Sequence, residues 1–250
     1  MPLLPLLLLA LAAHAYDVGD WSPADLKAQV ARVVSQEAEV VEARGVPLAH
    51  AGAITGAIVG RFELGEYTYC HVQTVYEKDG QSWVTAGMEI GGCEAAAVLG
   101  VLDLADEGSL AFRDSWAQAN PQEPVATPKK PALAVLSRFR FDDGHVRTNL
   151  LLLDLADRDR PTQVLREDVS ARYPLQDPRA GRPAQRSLGH EALSLAVAQT
   201  AQGPELLLTV KDVATPDSGC LEPAPEILRF LFQEGRFVQQ RFTPPDPGCP

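Results

Sequence analysis

The chain is poor in cysteine, and no two cysteines lie close together: Cys70, Cys93, Cys220 and Cys249 are the 4 it carries. A thiolate zinc site wants a C-x-x-C clamp, so this spacing speaks against one. Phosphate-binding loops are missing as well. No glycine-rich run ends in Lys-Ser or Lys-Thr, and no Ser occupies a G-x-S-x-G elbow; neither nucleotide chemistry nor a hydrolase nucleophile shows a signature. Basic charge is scarce, with 22 Lys and Arg against 33 Asp and Glu and a formal net charge of -11. That field opposes nucleic-acid backbones and anionic headgroups, so nucleic acid is excluded as a partner. Long apolar runs are lacking too. The opening "MPLLPLLLLALAAHA" is shorter than the roughly 20 apolar residues that span a bilayer.

What that opening does contain is an apolar stretch ending in Ala13-His14-Ala15, the small-x-small pattern of a signal-peptidase site. Residues 1–15 read as a secretory signal peptide, which implies an exported protein, periplasmic or extracellular, with no stable membrane span after cleavage. An even cysteine count in an exported chain implies two disulfides. Four cysteines allow three connectivities. A hairpin centred on Asp79-Gly80, followed by a turn at Gly91-Gly92, brings Cys93 back towards Cys70. Cys220 and Cys249 flank the last hairpin, so the favoured bonds are Cys70 with Cys93 and Cys220 with Cys249.

A helix start is written in Ser22-Pro23 with Asp25: a cap, a proline at the first position and an acid at the positive helix end. Leu26, Val30, Val33, Val34 and Val41 then recur at helical spacing, and Gly45 and Pro47 predict its end. Beyond that the period becomes two. Acid-glycine turns around Gly80, Gly108, Gly144 and Gly235, and a Gly203-Pro204 turn, separate strand-like runs. The expected fold is mainly β: about ten strands in an antiparallel hairpin or meander sheet (sandwich, curled half-barrel or propeller-like) with one N-terminal amphipathic helix. "GAITGAIVG", with Gly52, Gly56 and Gly60 four apart, reads as an apolar strand or buried loop. The Pro-rich 119–131 reads as a linker or surface loop between an N-terminal part, 16–118, and a C-terminal part, 132–250, that together form one domain or two. A second long loop is expected over 173–189.

Candidate chemistry is sparse. Asp154, Asp157 and Asp159 could suggest a calcium loop, but Arg158 and Arg160 alternate with them, so a connection between strands is the better reading. "HEALS" at His190 lacks the second His of a zinc-protease helix. His50, His71, His145 and His190 are dispersed. No metal site and no cofactor is implied. Arg172, Arg179, Arg182 and Arg186, in or beside the second loop, are the candidates for holding an anionic group in an otherwise acidic chain.

These readings favour a non-enzymatic binding or structural protein with an apolar ligand or a protein as partner. In outline, one helix followed by a long meander resembles the periplasmic lipoprotein carriers, whose curled sheet holds acyl chains under a helix. That resemblance implies carriage of an apolar ligand. The enzymatic alternative is a secreted hydrolase built from dispersed His, Asp and Ser.

Overall fold

The computed structural model describes residues 18–51, 53–112, 127–142, 144–157, 160–176, 183–213 and 225–240. The signal segment 1–15, Cys220, Cys249, Arg179, Arg182 and most of 119–131 lie outside these. Among these residues the fold is mainly β and antiparallel, with one α-helix and one 3-10 turn. The elements are η1 (Val18–Asp20), α1 (Pro23–Ala31), β1 (Glu39–Ala51), β2 (Ile54–Leu64), β3 (Tyr67–Lys78), β4 (Gln81–Val84), β5 (Met88–Gly91), β6 (Ala95–Asp103) and β7 (Gly108–Ala111). After the Pro-rich stretch come β8 (Pro131–Arg140), β9 (Val146–Asp154), β10 (Thr162–Gln176), β11 (Pro183–Thr200), β12 (Gly203–Val213), β13 (Glu226–Gln233) and β14 (Arg236–Gln239).

Ser22 caps α1 as its residue type requires: its Oγ accepts from the Asp25 amide, and its own amide donates to the Asp25 carboxylate, each at 3.2 Å. The helix is shorter than expected. It stops at Ala31, and Val41, Gly45 and Pro47 belong to β1. The valine spacing mimicked a helical period because the register slips between Val40 and Glu42, a bulge that displaces Val41 from strict alternation. The β-branched Val40 and Val41 also favour extended chain once a partner strand is present, whereas Val33 and Val34 close the helix, their amides donating to the Val30 carbonyl.

Five strands form a small sheet in the order β1-β2-β3-β4, with β5 beside β4 on the same edge of β3. Nine form a larger one in the order β14-β13-β12-β11-β10-β9-β8-β6, with β7 added to β11. The expected turns at Gly80, Gly144, Gly203 and Gly235 each join antiparallel neighbours. The Gly108 turn does not. β7 leaves β6 and pairs with β11 through Leu110↔Leu195, while β6 pairs with β8. Strands from both sides of the Pro-rich stretch therefore share one sheet. The second expected loop is mostly strand, since β10 runs to Gln176 and β11 begins at Pro183.

Three apolar layers result. Val18, Leu26 and Val30 pack on Ile58, Phe62 and Val75 of the small sheet. Gly56 and Gly60 make this possible: a Cβ at Gly56 would lie 2.4 Å from Val18 Cγ1, and one at Gly60 2.9 Å from Val30 Cγ2. The four-residue glycine spacing puts both on one face of β2, where the helical segment sits down. The opposite face of the small sheet, with Val46, Val59 and Val72, packs against Val135, Leu151 and Leu153 of the large one. The large sheet curls on its other face, burying Leu150, Leu152, Leu195, Leu208 and Phe230 in one cluster. The curl brings Lys130, before β8, to 4.3 Å above the Phe232 ring of β13.

Candidate functional site

The layer between the two sheets is apolar at one end and polar at the other. At the polar end β1 contributes Glu42 and Arg44, β2 contributes Arg61, and the crossover into β6 contributes Glu94, Ala95 and Ala96. Together they line a cleft of ≈ 120 Å³ floored by Val59. Arg44 bridges the sheets, donating through Nη2 to the Ala96 carbonyl at 2.6 Å. Glu94 is held from outside by Arg140 Nε at 3.2 Å. Arg61, by contrast, meets Glu42 and Glu63 only at 4.0 Å each, beyond hydrogen-bonding distance.

The disulfide forms beside this cleft. Cys70 pairs with Arg61 across β2–β3 and is bonded to Cys93, with a Cα–Cα distance of 5.5 Å. Both cysteines are fully buried. The expected Cys70–Cys93 bond is thus present, and it fastens the segment bearing Glu94 over the small sheet. The other expected bond, between Cys220 and Cys249, falls outside the described residues.

A polar row continues across the large sheet from Ala96 to Ser137, Asn149 and Asp168. Ser137 Oγ is buried without a partner. Oriented with its oxygen towards Arg166, the Asn149 amide donates to Asp168 at 2.5 Å and accepts from Arg166 Nε at 3.1 Å. Arg147 reaches Asp168 at 3.4 Å. These charges mostly satisfy one another.

Arg172 lies in β10 opposite Gly189 and Val146, and Arg186 lies in β11, while Arg179 and Arg182 fall outside the described residues. Asp154 and Asp157 stand in the connection from β9 to β10, where Asp154 accepts from the Ala156 amide at 2.8 Å and Asp157 from Arg160 at 3.3 Å. These bonds are turn chemistry. "HEALS" lies on β11. Among the described residues no group of three or more His, Cys, Asp or Glu could hold a metal ion.

His71 is sealed under residues 85–87, and a Cβ on Gly87 would meet its Nε2 at 2.8 Å. Burial pushes its pKa down to about 4, weakly opposed by the Ala86 backbone. That contact falls short of a well-formed hydrogen bond, and neither ring nitrogen has a partner. A neutral ring with no nucleophile on either nitrogen is a core residue, not a general base. His145 stacks on Phe141 at 5.0 Å.

Glu42, Arg44, Arg61 and Glu94 carry no motif that marks them in the sequence as site residues. A signal existed in the arginines interrupting otherwise strand-like runs, but only the tertiary pairing of β1, β2 and β6 brings them together. Comparison of the chain with protein-family models, with curated proteins and with solved structures finds no match.

Proposed function

We propose that this chain is an exported, non-enzymatic β-rich protein of binding type, acting in an oxidising compartment, periplasmic or extracellular. The observation that carries the reading is the Cys70–Cys93 bond, buried at 0% exposure of either residue. Such structural bonds belong to exported proteins, whereas cytosolic pools keep thiols reduced. The apolar leader and the acidic net charge of -11 agree with export and solubility. Binding is favoured over catalysis because the cleft between the sheets that Glu42, Arg44, Arg61 and Glu94 line holds no nucleophile.

Carriage of an apolar ligand has one observation in its favour, the curl of the nine-stranded sheet around a continuous apolar face. That face is filled by its own leucines and phenylalanines, and α1 packs on the other sheet rather than across its mouth. The polar cleft is therefore the preferred ligand site.

Fractionation of a bacterial host expressing the full chain tests the assignment. The expected product is exported, begins at Tyr16, and yields a Cys70–Cys93 cross-linked peptide on non-reducing mapping. A cytoplasmic product with an intact leader and free thiols at both positions would overturn it.

A further inference from the structure

We infer that the cleft between the sheets binds the zwitterionic main chain of a free α-amino acid, a proposal that rests on the binding reading above and specifies its ligand. Of the four charged residues lining it, two are already committed: Arg44 to the Ala96 carbonyl at 2.6 Å and Glu94 to Arg140 at 3.2 Å. The remaining two, Arg61 and Glu42, stand 4.0 Å apart, close enough to attract but not to hydrogen-bond, and Arg61 Nη1 meets Glu63 at the same distance, which leaves its guanidinium without a hydrogen-bonded carboxylate. One is a cation and one an anion, so a lone anion would be repelled by Glu42 and a lone cation by Arg61. A molecule carrying both charges on adjacent atoms complements them, its carboxylate accepting from the Arg61 guanidinium and its ammonium donating to the Glu42 carboxylate.

The size agrees. A cleft of ≈ 120 Å³ has room for an ammonium, a Cα and a carboxylate while a side chain projects into solvent. Both walls are fixed before any ligand arrives. Arg44 ties β1 to β6, and the Cys70–Cys93 bond holds Glu94 and Ala95 against the small sheet. Such preorganisation limits the ordering cost of binding a small molecule. Arg61 and Glu42 side chains remain 33% and 62% exposed, so the site is accessible and the affinity modest.

Titration of the oxidised mature chain, followed by amide chemical shifts, tests this with glycine as probe. Glycine is expected to bind saturably, with a dissociation constant of about 1 mM, and to shift the amides of residues 42–44, 59–61 and 94–96. N-acetylglycine and glycinamide, each lacking one charge, should bind at least about tenfold more weakly. Glu42→Gln and Arg61→Gln, both at partly exposed positions, should each weaken glycine by about the same factor with unchanged circular dichroism. Absence of saturable binding, equal binding of N-acetylglycine, or unaltered affinity in both variants would overturn the assignment. Export and disulfide formation are read separately, so loss of this ligand leaves the compartment assignment standing, while a cytoplasmic, reduced protein removes the wider reading whatever glycine does.

Discussion

His71 shows what a single buried residue does to the pH response of the whole chain. Unfolded, it takes up a proton near pH 6.5; folded, burial delays that to about pH 4. Its contribution to stability is therefore fully present above pH 6.5, is lost as the pH falls through the window down to about 4, and levels off below. The loss amounts to about 3 kcal/mol, before other groups are counted. Urea unfolding at successive pH values should show this decline in the wild type and its removal in His71→Gln; parallel slopes in the two proteins would reject it. A few residues away, Gln73 Nε2 donates to the Thr85 carbonyl at 3.1 Å and the Thr74 amide to Thr85 Oγ1 at 2.9 Å, which keeps the covering segment in place. Gly56 acts by size. Gly56→Val would drive carbon into Val18, 2.4 Å from the position of the first added atom, and should cost about 1–3 kcal/mol by overpacking. A chemical melt that leaves the midpoint unchanged would refute the close seating of η1 on β2.

Among the elements, β9 is the most informative. Leu150, Leu151, Leu152 and Leu153 are all buried to within 2%, yet they serve two different cores: Leu151 and Leu153 face the small sheet, Leu150 and Leu152 the curled interior. Strands covered on both sides read as continuous apolar runs, which explains the leucine block. Leu151→Ala and Leu152→Ala should each cost about 2–5 kcal/mol. In a strand with one wet face only one of the two would matter, so a mild effect at either site in denaturant unfolding would contradict the layered packing. The crossover from β5 to β6 is held in another way, by the disulfide. With a sequence separation of 23 residues, replacing Cys70 and Cys93 together by Ala should lower stability by about 3 kcal/mol on a chain-entropy estimate. Thermal unfolding of the double variant beside the oxidised parent measures it, and equal midpoints would disprove the contribution.

Across the whole molecule, one helix rests on a five-stranded sheet, which rests on a nine-stranded sheet that curls on itself. The cleft occupies the end of the middle layer where apolar packing gives way to charge, a place created only when β1, β2 and β6 meet. Asp103 secures the same assembly elsewhere. Burial works against its charge, but amides of Ala105, Lys129 and Lys130 donate to its carboxylate at 2.9 Å each and, with the Lys129 charge, hold it below the usual carboxylate range. That links the end of β6 to the start of β8 across the Pro-rich stretch.

Features encoded by neighbours along the chain were determined by the sequence alone: the Ser22 cap, the tight turns at Gly80, Gly144, Gly203 and Gly235, and the Cys70–Cys93 bond that follows from the Gly80 hairpin. Their energies depend on a few adjacent residues, so their residue types suffice to specify them. The end of α1, the pairing of β7 with β11, the extension of β10 and β11 through an expected loop, and the meeting of Glu42, Arg61 and Glu94 were decided by tertiary structure. In each of these the deciding partner lies far away in the chain, and an apolar or charged residue carries no mark of which distant strand it will face. Burial against that strand outweighs the local preference by more than any turn or helix propensity supplies.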